Sequence, residues 1–136
     1  MILKSFSKIN LSLKVNRRIK SSRLHEIQSY FCLIDIFDDI KIKKIKNQKH
    51  IVSFKGKFSK DINKNTNSII DVLNILRERN LISSHYSVSI NKKIPVFGGM
   101  GGGTSNAICL VKYLTRNKIS KNLLNILIKK IGSDAR

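Results

Sequence analysis

The chain has 136 residues, 41% of them hydrophobic, which is enough for one modest domain with a real core and too apolar for a disordered chain. Its charge is lopsided: 27 Lys and Arg stand against 8 Asp and Glu, for a net +19, so polyanions such as nucleic acid or phosphorylated metabolites come first as partners. No apolar run approaches the ~18 residues of a membrane span, Met1 to Val15 lacks the core of a signal peptide, and the two distant cysteines, Cys32 and Cys109, read as free thiols of a reducing cytoplasm.

Lysine is scattered along most of the chain and mixed with Ile and Asn, as AT-rich coding produces. There is no Arg-rich or aromatic-interleaved stretch, so a dedicated nucleic-acid surface is not expected.

In chain order, Ile9, Leu11, Leu13 and Val15 alternate with Lys8, Asn10, Ser12 and Lys14, the period of a half-buried strand. This predicts that Lys8, Asn10 and Ser12 share a polar face opposite the core. Ile27 to Ile34 reads as a second strand. Ile40 to Lys46 and Ile51 to Phe58 read as a hairpin around Asn47-Gln48, its lysines forming a solvated face.

A helix follows, with Asn65, Thr66 or Asn67 as cap and Ile69, Val72, Leu73 and Leu76 at i, i+3, i+4 and i+7. Tyr86, Val88 and Ile90 alternate with serines as a further strand. Beyond a glycine run, Ala107, Leu110, Val111 and Leu114 return to helical spacing. A last helix starts at Ser120, turns Leu124, Leu127, Ile128 and Ile131 inward and stops at Gly132. Strands early and helices late make an α+β fold in a single domain, residues 1–136.

Five of the seven glycines lie between Gly98 and Gly103. A strand before them and an amphipathic helix directly after them make the run an anion site. Glycine lets the backbone approach a ligand closely, and a helix start offers free N–H groups and the positive dipole end. Thr104 and Ser105 add hydroxyls that can reach a phosphate oxygen or its Mg²⁺. No Gly-Lys-Ser/Thr ending follows, which excludes a Walker A loop, and Thr104 stands where a dinucleotide fingerprint needs its third glycine.

The stretch Pro95-Val96-Phe97-Gly98-Gly99-Met100-Gly101-Gly102-Gly103-Thr104-Ser105-Asn106 resembles the ATP loop of the GHMP kinases, the superfamily of galactokinase, homoserine kinase and mevalonate kinase. Three more stretches, in the same order as in that superfamily, narrow the resemblance: Ser7-Lys8-Ile9-Asn10-Leu11, Leu24-His25-Glu26-Ile27-Gln28-Ser29 and Gly132-Ser133-Asp134. Together they are similar to the members that phosphorylate 4-diphosphocytidyl-2-C-methyl-D-erythritol in non-mevalonate isoprenoid biosynthesis.

The resemblance implies the N-terminal domain of such a kinase, related to ribosomal protein S5 domain 2, with ATP and Mg²⁺ as cofactors. It implies that Pro95 to Ser105 hold ATP, that Lys8 and Asp134 are the catalytic pair, and that Asn10, His25 and Phe31 line the acceptor pocket. It further implies a cytoplasmic enzyme, monomer or homodimer, with no membrane partner.

The sequence departs from the family in three places. Phe97 stands where many members have Gly or a small residue, and Leu24 replaces the usual Tyr. The chain also stops two residues after Asp134, where the family continues, so the expectation is a truncated domain without its C-terminal partner and with little activity alone. Two alternatives make different predictions. Another GHMP kinase, of homoserine or mevalonate type, would take a different acceptor. A basic S5-like RNA-binding module would bind RNA with steep salt dependence and indifference to the glycines.

Overall fold

The computed structural model describes residues 1–20 and 25–132. Leu24 and Asp134 therefore lie outside the described residues. The order is β1 (Ile2–Arg18), β2 (His25–Ile45), β3 (Ile51–Lys55), α1 (Ser68–Glu78), β4 (His85–Asn91), α2 (Gly102–Leu114) and α3 (Lys121–Ile131). The strands form one sheet in the order β1-β2-β4-β3, antiparallel except for the parallel β3–β4 pair.

One face of that sheet carries the core. Ile40 and Ile42 sit opposite Ile90 and Val88, and all four are buried under helix residues Ile69, Val72, Leu73, Leu76, Ala107, Leu110, Val111, Leu123 and Leu127. Residues of the other parity, Lys41 and Lys43 against Ser89 and Ser87, face away from it, as the solvated-lysine reading expects. The four apolar positions expected to face inward on α1 are all buried, and Asn67 is its cap: its side chain accepts from the N–H groups of Ile69 and Ile70.

Three expectations are corrected. The stretches from Ile27 and from Ile40 belong to one continuous strand. The hairpin around Asn47-Gln48 does not form: β2 pairs with β4, and β3 joins the far side of β4 in parallel, reached through α1. Alternation identifies a strand but not its partner, and a parallel neighbour needs such a crossover. On α3 the buried residues are Leu123 and Leu127, so its stripe is rotated toward Leu123 from the expected one.

The polar-face reading of β1 is corrected as well. A bulge between Asn10 and Ser12 makes Asn10 pair with Phe31 but Ser12 with the adjacent Tyr30. Neighbours on a strand point to opposite faces, so Ser12 leaves the face of Lys8 and Asn10. Nor do the apolar residues of this stretch reach the core: Leu11, Leu13 and Val15 are all more than half exposed, because the outer half of the β1–β2 ribbon runs past the helices.

At the start of β3, His50 Nδ1 accepts a hydrogen bond from the Tyr86 N–H at 3.1 Å, and its ring stands 5.0 Å from that of His85. Burial, then the charges of His85 and Arg77, hold its pKa below the ordinary 6.5. Protonated, Nδ1 becomes a donor and the bond to Tyr86 is lost. A depressed folded pKa gives stability that is complete above the unfolded value and is lost as pH falls through the folded one. The urea midpoint is therefore expected to drop as pH is lowered from 7 to 5. A His50→Asn variant, which keeps an acceptor but cannot titrate, will show a shallower drop; an equal slope in both would rule His50 out as the cause.

Candidate functional site

The glycine loop leaves the end of β4 and runs directly into α2. Its N-cap is Gly101, at φ 67°, and no side chain caps the helix. Here α2 differs from α1, capped by Asn67, and α3, capped by Ser120. The first-turn N–H groups of α2, those of Gly102, Gly103 and Thr104, are left to face a ligand, and the helix dipole adds positive potential there. Glycine is required twice, for different reasons. At Gly101 the left-handed backbone disfavours a side chain, while the space is open: a Cβ would only touch Lys8 Cε, at 3.4 Å. At Gly102 a Cβ would come within 2.8 Å of Ile94 Cγ2, closer than real Cβ atoms approach.

These N–H groups border a cleft of about 650 Å³ between the loop and the start of α1. Asn63, Thr66, Asn67 and Ser68 form one wall, and Pro95, Val96, Phe97, Gly98, Gly99, Met100, Gly101, Gly102, Gly103 and Thr104 the other. The structure thus brings ten of the eleven sequence-predicted ATP-loop residues onto one cleft. The eleventh, Ser105, points elsewhere: its hydroxyl donates to the Phe6 carbonyl at 2.9 Å and lies 2.9 Å from the hydroxyl of buried Ser5. Thr104 Oγ1 donates to the Ile131 carbonyl at 3.4 Å, and Ser68 Oγ to the Gly103 carbonyl at 3.3 Å. These hydroxyls tie the loop to β1, α3 and α1.

Lys8 meets the loop from its other side. Its N–H donates to the Met100 carbonyl at 3.2 Å, its stem packs over Gly101, and its Nζ stands 5.5 Å from the centre of the Phe31 ring. Asn10 pairs with Phe31 across the ribbon and accepts from Ser29 Oγ at 3.2 Å. Lys8, Asn10 and Phe31 therefore form one group, on the β1–β2 side of the loop. His25 is not part of it. It pairs with Arg18 at the far end of β2, eight residues beyond the Leu33 partner of Lys8, roughly 26 Å at the rise of a strand.

Beneath the loop lies a group that the sequence reading missed. Asp38 is fully buried. Its Oδ1 accepts from the backbone N–H groups of Lys93 at 2.7 Å and Ile94 at 2.9 Å, and its Oδ2 accepts from Asn106 Nδ2 at 2.8 Å and from Lys92 Nζ. One carboxylate thus fixes β2, the exit of β4 and the first turns of α2 to one another. Lys92 is 3% exposed, and its Nζ lies 3.4 Å from the position a Cβ on Gly102 would take. Next to it, the Lys93 ammonium hydrogen-bonds Asp39 at 2.9 Å and holds that carboxyl below the usual carboxylate range.

Comparison with known proteins agrees with this geometry. The family of GHMP kinases N terminal domains matches residues 67–135. A 4-diphosphocytidyl-2-C-methyl-D-erythritol kinase of Pelagibacter ubique is 38% identical over 97% of this chain, and one of Ureaplasma parvum is 32% identical over 98%. These alignments take in 47% and 51% of the two relatives, so the chain spans about half the length of the curated relatives it matches. A crystal structure of 4-(cytidine 5'-diphospho)-2C-methyl-D-erythritol kinase superposes over 99% of the chain and 47% of its own length, with a TM-score of 0.69 at 21% identity. A homoserine kinase from Cytophaga hutchinsonii superposes over 95% of the chain and 40% of its own length, with a TM-score of 0.62 at 15% identity. The uncapped glycine start of α2, the α+β sheet that carries it and the matched residues 67–135 together place this chain in the GHMP kinase family, as its N-terminal domain.

Proposed function

We propose that this chain contributes the nucleotide-binding side of a cytoplasmic, ATP-dependent kinase that phosphorylates the 2-hydroxyl of 4-diphosphocytidyl-2-C-methyl-D-erythritol. The observation that carries the reading is the uncapped first turn of α2 opening on a cleft walled by Pro95 to Thr104. Three N–H groups and a helix dipole fit the triphosphate of ATP, and glycine lets it approach. Among the described residues, no three His, Cys, Asp or Glu stand together as a metal cage. Mg²⁺ would be carried by the phosphates, with the Thr104 hydroxyl on the cleft as the candidate protein ligand, since that of Ser105 is turned to Phe6 and Ser5; bound there, it would offset charge on the transferring phosphoryl group.

Lys8, whose stem lies beside Gly101, is the cation assigned to the transferring phosphoryl group, and Asp134 takes the proton of the attacking hydroxyl. Asn10 and Phe31 receive the acceptor next to Lys8. His25, far along the ribbon, suits the cytidine end of an elongated acceptor. The cytidine-diphosphate acceptor is preferred because the Pelagibacter and Ureaplasma relatives, similar over nearly the whole chain, carry that activity in their names. Cytoplasmic placement is supported by the free thiols of Cys32 and Cys109. No helix among the described residues is long and apolar enough to cross a membrane.

Calorimetric titration tests the acceptor. In the presence of MgATP, heat is expected with 4-diphosphocytidyl-2-C-methyl-D-erythritol and none with homoserine or mevalonate. Selective binding of either of the latter would overturn the substrate assignment.

A further inference from the structure

Phe97 is unusual in two ways at once. Its φ is 63°, in the left-handed region that L side chains avoid and glycine enters freely. The residue is also 93% exposed, the most exposed of the large hydrophobic residues among those described. Such strain persists where the surroundings hold it and concentrates at ligand sites, so an outlier on a cleft wall points to a role there. Among the described residues, no hydrogen bond or ring contact of Phe97 accounts for a bulky ring in that conformation.

Its position narrows the role. Phe97 lines the same cleft as Gly102, Gly103 and Thr104, together with Asn63 and Thr66, but stands five residues before the helix start. The other aromatic ring on the cleft, Phe54, is part-buried and packed against the core. A nucleotide with its phosphates on the first turn of α2 must direct its base away from that turn. Lys8, Asn10 and Phe31, the acceptor group, do not line this cleft.

Resting on the nucleotide-binding reading above, we propose that Phe97 stacks on one face of the nucleobase of the bound ATP and so sets much of the affinity for the base, as distinct from the phosphates. An aromatic ring stacked on a base contributes through its π-face and its buried area, and neither is available in the free protein.

Titration of MgATP and of inorganic tripolyphosphate into wild-type protein and Phe97 variants tests this, with melting temperature as a parallel readout. Phe97→Gly is expected to lose about tenfold in MgATP affinity, the size of one base stack. Its tripolyphosphate affinity will be unchanged, and its melting temperature held or raised because the left-handed backbone is relieved. Phe97→Leu, which keeps an apolar side chain and the strain, will lose MgATP affinity similarly, whereas Phe97→Trp will retain it. Undiminished MgATP affinity in the Gly or Leu variant, or an equal loss for tripolyphosphate, would overturn the stack while leaving the phosphate site in place. Failure of wild-type protein to bind either ligand would overturn both.

Discussion

Asp38→Ala is expected to destabilise the domain more than any other single polar substitution, by about 3–5 kcal/mol. The reason is the number of groups left without a partner. The change strands the ammonium of Lys92 in the interior and removes the acceptor for two backbone N–H groups and the Asn106 amide. Each buried donor left unmade costs about 1–3 kcal/mol, and a domain of this kind has only about 5–15 kcal/mol in all. Lys92→Met should cost less, because Asp38 then keeps the donors from Lys93, Ile94 and Asn106. Urea denaturation of both variants checks the order. A shift below about 1 kcal/mol for Asp38→Ala, or a larger one for Lys92→Met, would show that the carboxylate is not the hub.

The second large effect is on ligand affinity. Alanine normally favours a helix over glycine by about 1 kcal/mol, so local propensity alone recommends Gly102→Ala. Packing opposes it. The new Cβ would lie 2.8 Å from Ile94 Cγ2, and Ile94 cannot yield, because it is fully buried and its N–H is held by Asp38. The first turn of α2 must move instead, and with it the N–H groups that meet the phosphates. Hydrogen bonds to charged groups are worth about 1.5–3 kcal/mol each. Misaligning two of them lowers MgATP affinity by about a hundredfold or more. Calorimetric titration of the variant, with circular dichroism to confirm that it is folded, measures this; affinity within threefold of wild type would contradict it.

Much of the site could be read from local sequence because its parts are local. The strand-loop-helix context of Gly98 to Ser105 is contained in about thirty residues, and the structure places all but Ser105 on one cleft. The stripes of α1 and α2 and a cap within Asn65 to Asn67 are legible for the same reason, whereas the stripe of α3 is rotated. What was missed is long-range. The partner of β3 depends on a crossover through α1, and the bulge after Asn10 depends on how β1 meets β2. Neither leaves a mark on the strand itself.

The Asp38 network is an intermediate case, because its signal was present but not used. Asp38 shares parity with Ile40 and Ile42, and Lys92 with Val88 and Ile90. An acid at an inward strand position and a base in register with another strand, one residue past its end, are worth more attention than any exposed apolar residue. The serines of β1 behave alike: Ser5 and Ser7 are buried, Ser5 against Ser105 and Ser7 on the Ile36 carbonyl at 2.8 Å. They look like ordinary strand polars until the helix start that one of them anchors is in place.

Because the net charge of +19 would attract any polyanion, binding alone does not test the site; where the anion sits does. The direct measurement is a titration with MgATP that follows the backbone amide resonances. The account predicts saturable shifts that are largest at Gly101, Gly102, Gly103 and Thr104, with smaller ones at Asn67 and Ser68 across the cleft. Unmoved loop amides, together with weak, unsaturating shifts spread over the lysine-rich face of β2, would contradict it.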